Sequence, residues 1–309
     1  MGINRNILLW ASKNEWLKGH IPKMKFVQKA LKRFMPGENV ENAILATRVL
    51  LKHNIPTTFT HLGENITTIK EAENNAQHYL DLLEKINEEK LDIEISLKLT
   101  HIGLDLSFDK TVNLFSGIAE KARTLSNNVF IDIEDSTYVD KTIKFYKIIK
   151  EQYNNVGLCL QAYLYRTMDD IRNLLDIIPS IRLVKGAYKE PTTVAFKKLN
   201  QVNDNYMRLS RLLLQQINEK NIRVAFATHD LILQEHIKNE AKNLSLTKEK
   251  MEFQMLYGIK TSEQYKLAID GYKIRTLISY GKHWFPWYMR RLAERPANVG
   301  FVLKNIFSN

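Results

Sequence analysis

The sequence predicts a (β/α)8 barrel preceded by helices, and three observations carry that prediction. Eight short runs rich in branched and aromatic residues recur along the chain. Stretches with helical spacing lie between them, and eight strand–helix alternations are the number that closes a parallel barrel. Polar or charged residues sit near the end of almost every run, the register in which a barrel keeps its functional groups. A doubly wound open sheet is the alternative. It usually needs a phosphate-binding loop after its first strand, and the segment THLGEN has a single glycine.

Taken in order, residues 1–55 read as a helical extension, with helices over about 23–35 and 38–53 separated by Pro36-Gly37. The strand candidates are TTFTHLG (57–63), DIEISLKLT (92–100), NVFIDIED (128–135), VGLCLQAYLY (156–165), IRLVKGAY (181–188), RVAFATHD (223–230), MEFQMLYG (251–258) and KIRTLISYG (273–281). Such runs suit the buried strands of a parallel sheet. Residues 67–90 place Ile69, Ala72, Ala76, Leu80, Leu83 and Ile86 at a 3–4 spacing, which predicts one buried helix face. Residues 140–151 and 169–178 behave alike, and 202–219 reads as a longer helix. Pro286, a good early helix position, opens a helix over 286–295. The whole chain, 1–309, is expected to form a single domain with 1–55 as its extension.

A chain of 309 residues that is 44% hydrophobic can bury a large core. With Cys159 as the one cysteine, no disulfide can form within the chain. The first residues hold no apolar run suited to a signal or a span, so the expected location is cytoplasmic. The formal charge of +11 is scattered rather than run together. It fits a solvated surface, or weak attraction to the inner face of an anionic membrane, better than nucleic acid. No GxGxxG, GxxxxGK[ST], HExxH, CxxC or GxSxG pattern occurs, and the histidines lack metal-ligand spacing, so no metal site is expected.

The strand ends hold the candidate site. Glu64 follows strand one, Lys98 lies in strand two, and Asp132 and Asp135 in strand three. Strand four carries Gln161, Tyr163 and Arg166; strand five carries Lys185 and Tyr188. Strand six ends Thr228-His229-Asp230, strand seven holds Gln254 and Tyr257, and the last helix brings Arg290, Arg291, Glu294 and Arg295. Charged groups inside apolar strands are expensive unless paired or ligand-bound. Each also has a plainer explanation. Lys98 and Asp132 would make one buried ion pair, His229 a satisfied core histidine, and YMRRLAER a solvated basic face on which one of two adjacent arginines points to water. Cys159 would be a small apolar filler. Their joint occurrence at one barrel mouth favours a site.

The runs LVKGAY, FATHD, EFQMLYG and YMRRLAERPANVGF resemble the proline dehydrogenase family, in order, from HLGE near residue 61 to the C-terminus. KGAY followed by the paired arginines is a specific combination, and the size resembles the short monofunctional bacterial members. The resemblance implies a distorted barrel holding FAD at its strand C-termini. It implies that Gln161, Arg182, Lys185, Gly186, Ala187, Thr228, His229 and Gln254 hold the flavin. Arg290 and Arg291 would clamp the substrate carboxylate, a role that suits paired guanidinium groups. Lys98 would lie near flavin and carboxylate, with Asp132, Tyr188, Leu256 and Glu294 completing the pocket and Glu64 acting as a gate that pairs with the first arginine.

The implied reaction is hydride transfer from proline to the flavin, giving Δ1-pyrroline-5-carboxylate, with electrons passed on to a quinone at the membrane surface. One position departs from the family: four residues before Gly281, relatives usually have a tyrosine that packs on the substrate ring, and this chain has Leu277. That leaves three readings. The chain oxidises proline, or applies the same chemistry to hydroxyproline or another cyclic secondary amine, or is a basic barrel that binds an acidic partner without catalysis.

Overall fold

The computed structural model describes residues 14, 17, 20, 27, 31–63 and 66–294, the side chains of 293 and 294 excepted. Eight parallel strands close in sequential order: β1 (Thr57–His61), β2 (Ile93–Lys98), β3 (Val129–Asp132), β4 (Val156–Gln161), β5 (Ser180–Val184), β6 (Arg223–Ala227), β7 (Glu252–Leu256) and β8 (Lys273–Tyr280), which returns to β1. Seven of the eight predicted runs contain a whole strand, and β5 starts one residue ahead of its run, at Ser180. The observed strands end earlier because the polar residues that follow turn over the mouth instead of continuing the ladder. The open-sheet alternative falls with the closure of β8 on β1, which pairs Thr57 with Thr276 and Thr60 with Ser279.

Helix α1 (Val40–Leu51) precedes the barrel and matches the second of the two predicted N-terminal helices. The first falls mostly on residues outside those described. The outer ring is α2 (Ile69–Glu88), α3 (Phe108–Thr124), α4 (Val139–Lys150), α5 (Thr167–Arg172), α6 (Leu199–Lys220), α7 (Leu231–Asn243), α8 (Thr261–Ile269) and α9 (Trp284–Glu294). The expected helix over 169–178 is shorter and breaks into a 3-10 turn at Leu175–Ile177. Helix α2 starts at a reciprocal cap: the Glu71 amide donates to the Thr68 hydroxyl (3.2 Å) and the Thr68 amide to the Glu71 carboxylate (3.0 Å). It buries Ala72, Ala76, Leu83 and Ile86, as its spacing predicts.

The ring residues between helices and strands are apolar, and the barrel axis is not. Many barrels fill the axis with layers of branched aliphatic side chains. Here a connected polar ladder runs along it. Arg223 donates to Glu94 (2.6 Å) and Glu252 (2.8 Å), and Glu252 accepts from Gln254 (2.7 Å). Gln254 accepts from Arg182 (2.6 Å), and Arg182 pairs with Asp132 (2.8 Å). Both guanidinium groups, Arg182 and Arg223, lie over the Phe130 ring, at 4.4 and 5.3 Å from its centroid. Gly157 leaves room for that ring, since a Cβ there would stand 2.4 Å from it. Buried charges of this kind are tolerable because each has a partner.

Candidate active site

The C-terminal ends of the strands surround a cavity of about 920 Å³. That is within the roughly 300–1,000 Å³ typical of ligand and cofactor sites. Of the residues singled out from the sequence, β2 and β3 contribute Lys98 and Asp132 to the wall, β4 and β5 contribute Gln161 and Arg182, and the turn after β5 contributes Lys185, Gly186, Ala187 and Tyr188. Thr228 and His229 follow β6, Gln254 and Leu256 lie in β7, and Leu277 lies in β8. Arg290 and Arg291 reach the wall from α9. Glu64 lies outside the described residues. Glu294 closes α9 by its backbone, and its side chain lies outside them too.

Asp132 takes Arg182 as its ion-pair partner, and accepts from Ser96 Oγ as well (2.6 Å). Lys98 is its neighbour in the β2–β3 register, so the lysine stands beside an aspartate already bound across the barrel. Ser96 also receives Arg182 Nη1 (2.9 Å), so the serine couples the two charges. Glu94, Ser96 and Glu252 were missed in the sequence; period-two alternation along IEISLK and EFQML is the signal that would have found them.

Among the polar atoms of this wall that make no hydrogen bond within the described chain are Gln161 Oε1 and Arg182 Nη2. Gln161 Nε2 donates to the Glu134 carbonyl (3.2 Å), which fixes its amide with the oxygen left over. Arg182 is only 2% exposed and Gln161 3%. A buried acceptor and a buried donor without partners are costly, and a bound heterocycle with an N–H beside a carbonyl would satisfy both.

Lys185 donates to Asp230 (2.7 Å) and Asn203 (2.8 Å). Asp230 is also the N-cap of α7, accepting from the amides of Ile232 and Leu233. His229 Nε2 accepts from the Leu256 amide (2.9 Å), which places its proton on Nδ1 and ties the end of β6 to β7. The glycine of KGAY has an internal cause. Gly186 has φ +108°, and a Cβ there would meet the Tyr163 ring at 2.2 Å. Close approach of a ligand is not needed to explain it.

The plainer explanation for the adjacent arginines, a solvated basic face, would turn one of them toward water. Both are half-buried in the cavity wall, because Trp287, Arg290 and Arg291 form one i, i+3, i+4 face of α9. The other side of α9, with Trp284, Phe285, Tyr288, Met289 and Leu292, packs on Val27, Leu31 and Met35. Trp284 donates to Glu38 (2.8 Å), and the Gly281 amide donates to the Glu38 carbonyl (2.9 Å). The N-terminal segment therefore braces the arginine helix, a role its sequence did not announce. Arg290 lies 5.4 Å from the Tyr188 ring centroid.

Beside the mouth, His61, His78 and His101 cluster, with ring centroids 4.3 Å (61–78) and 5.3 Å (61–101) apart, and His78 shares a 2.7 Å hydrogen bond with Tyr280. Burial, then the neighbouring imidazoles, pushes His61 down to about 4. Burial, then His61 and Lys98, pushes His101 down to about 3. Both are neutral when folded and take up protons near pH 6.5 when unfolded. Their contribution to stability is complete above pH 6.5 and is lost as pH falls through about 4. The melting temperature is expected to drop between pH 7 and pH 4.5, and His101→Leu to flatten that drop in thermal melts; an equally steep profile in the variant would contradict the assignment.

Residues 44–304 match the family model described as proline dehydrogenase. The chain belongs to the proline dehydrogenase family. It is 37% identical over 302 residues to proline dehydrogenase 1 of Bacillus subtilis subsp. natto, covering 98% of each chain. It is 34% identical to the proline dehydrogenase of Deinococcus radiodurans over 89% of each chain. Among solved structures, proline utilization A (PutA) from Bdellovibrio bacteriovorus shares the fold, with TM-score 0.82 and 23% identity. That alignment covers 99% of this chain and spans about 37% of the PutA chain. As a member of that family the chain is an oxidoreductase, and its strands close in an eight-stranded barrel. No helix among the described residues is long and apolar enough to cross a membrane.

Proposed function

We propose that this chain oxidises L-proline to Δ1-pyrroline-5-carboxylate with FAD as its cofactor, and passes the electrons on to a quinone. The observation that carries the reading is that Gln161 Oε1 and Arg182 Nη2, an acceptor and a donor, are among the unsatisfied polar atoms at the wall of a 920 Å³ cavity. A flavin's pyrimidine edge offers an N–H to the first and an acceptor to the second, so the residues present fit the group. Lys185, Gly186, Ala187, Thr228, His229 and Gln254 would line its remaining length.

A bound flavin supplies the two-electron acceptor for a hydride. Arg290 and Arg291 bind the substrate carboxylate and fix the ring against the cavity wall. Lys98 and the two arginines disfavour a protonated substrate amine. In its neutral form the nitrogen lone pair becomes the new C=N bond as the hydride leaves the adjacent ring carbon; the nitrogen is then an iminium that keeps its N–H, and loss of that proton to water gives the imine. Tyr188, Asp132 and Leu256 complete the wall, and Glu294 and Glu64 are assigned to the pocket and its gate by family resemblance alone.

Leu277 supports a second reading, the same oxidation of a substituted proline. It stands beside Leu256 in the register of β7 and β8, where its side chain offers the ring an apolar wall and no hydrogen bond. Leu277→Tyr is expected to change the ratio of kcat/KM for L-proline and trans-4-hydroxy-L-proline by about tenfold, the usual effect of adding or removing one hydrogen bond to a substrate. A ratio that stays put removes Leu277 from specificity. The function itself is tested by adding each amino acid without oxygen to the purified protein and recording its visible spectrum. Bleaching of a flavin band by proline is expected. Bleaching by hydroxyproline alone moves the pocket to that substrate, and a protein that takes up no flavin ends the proposal.

A further inference from the structure

The turn after β5 does more than present KGAY. Residues 185–198 fold back over the barrel mouth and form part of the cavity wall. Inside that turn Glu190 is buried, 6% exposed, although a carboxylate in a connecting loop ordinarily faces water. Its carboxylate has three donors. The Ser136 amide reaches Oε1 at 2.8 Å, the Ser136 hydroxyl reaches Oε2 at 2.5 Å, and the Tyr163 hydroxyl reaches Oε1 at 3.1 Å. Lys197 adds a hydrogen bond to the Glu190 carbonyl. Ser136 belongs to the loop after β3 and Tyr163 to the end of β4, so one carboxylate joins the mouths of three successive strands.

Tyr163 holds the same turn from its other side. Its amide donates to the Lys185 carbonyl (2.9 Å), and its carbonyl accepts from the Phe196 amide (2.8 Å). Its ring fills the space a Cβ on Gly186 would need. The turn is therefore clamped at 185, 186, 190 and 196, and Tyr188 lies at the middle of the clamped stretch, beside Arg290. Because three donors already occupy the Glu190 oxygens, a direct contact with substrate would break existing bonds. A buried carboxylate most of whose acceptor sites are filled by its own protein acts chiefly through what it holds.

We propose that Glu190 is a positioning residue: it latches the 185–198 turn to Ser136 and Tyr163, and thereby holds Tyr188 against Arg290 so that the substrate carboxylate meets a preformed site. The inference rests on the reading of Arg290 as part of the carboxylate clamp. Gln at position 190 can keep the latch, because its oxygen in place of Oε1 still accepts from the Ser136 amide and the Tyr163 hydroxyl, while the Ser136 hydroxyl rotates to accept from its amide nitrogen. Alanine cannot.

The test uses FAD-saturated wild type, Glu190→Ala, Glu190→Gln and Tyr163→Phe. It follows amide hydrogen exchange across 186–196, steady-state kinetics with proline, and binding of tetrahydrofuran-2-carboxylate, the oxygen analogue of proline that cannot become an imine. Glu190→Ala is expected to speed exchange in 186–196 and to raise both KM and the analogue's Kd by about tenfold, with kcat within about threefold. Glu190→Gln should stay within about twofold of wild type on every readout, and Tyr163→Phe should shift exchange in the same direction by less. Should Glu190→Ala fail to fold, Tyr163→Phe alone decides: unchanged exchange in 186–196 overturns the latch. Slow exchange in Glu190→Ala overturns it too, and so does a Glu190→Gln variant as impaired as Glu190→Ala, which would make the charge the active feature. The clamp reading fails separately, if Arg290→Ala leaves the analogue's Kd unchanged while exchange in 186–196 still responds to Glu190→Ala.

Discussion

Replacing Arg290 by alanine is expected to raise the KM for proline by roughly a hundredfold while the protein keeps its flavin and its fold. A charge-assisted pair to a carboxylate, removed from one side in a partly dehydrated site, costs about 3 kcal/mol, which is about two decades in affinity. Arg290 is suited to that role because Trp287, Arg290 and Arg291 share one face of α9 in the cavity wall, while the opposite face is anchored in its own apolar cluster. Removing the guanidinium therefore leaves the helix packing intact. Steady-state kinetics across proline concentrations check the effect, with the visible spectrum of the purified variant confirming flavin content. Arg290→Lys should fall between the two, since a lysine keeps the charge and loses the fork geometry. A variant with unchanged KM would remove Arg290 from the carboxylate site.

The barrel was legible in the sequence because parallel strands covered by helices read as apolar runs, and eight of them separated by helical spacing leave few alternatives. The mouth was legible for a related reason: Lys98, Asp132 and Gln254 are out of place in apolar strands unless something at the end of the barrel engages them. What that something does among the residues themselves was less accessible. Asp132 has Arg182, from two strands away, as its ion-pair partner, and no local spacing encodes a contact between residues 50 apart. The plainer explanation, in which one of the adjacent arginines points to water, treated α9 as a surface helix. It is packed on one broad side by the N-terminal segment and on the other by the cavity, so both residues are half-buried. Glu190 was missed because a glutamate in KGAYKEP reads as solvent-facing. Its burial follows from the return of 185–198 over Tyr163, which only the folded chain displays.

Arg182 is where stability and cofactor binding meet, and its removal should have the largest effect on the protein as a whole. Arg182→Met leaves the Asp132 carboxylate without its ion-pair partner and Gln254 Oε1 without a donor, in a region where Arg182 itself is 2% exposed. Breaking one side of a buried pair typically costs about 3–5 kcal/mol. In a chain of this size that is a fall in melting temperature of about 5–8 °C. Loss of flavin is expected with it, because Arg182 Nη2 is one of the wall atoms assigned to the cofactor. The two effects separate in the double variant Arg182→Met/Asp132→Leu. Replacing both charges by apolar groups of similar size removes the unpaired carboxylate, so much of the melting temperature should return. The flavin should not, since no donor has been restored. Thermal melts of the apoproteins read the first effect, and titration with FAD followed by its absorbance reads the second. If the double variant regained both, Arg182 would be a structural counter-ion to Asp132 and nothing more. If it regained neither, the cost would lie in the ladder below, where Gln254 is held by Glu252 and Glu252 by Arg223 along the barrel axis.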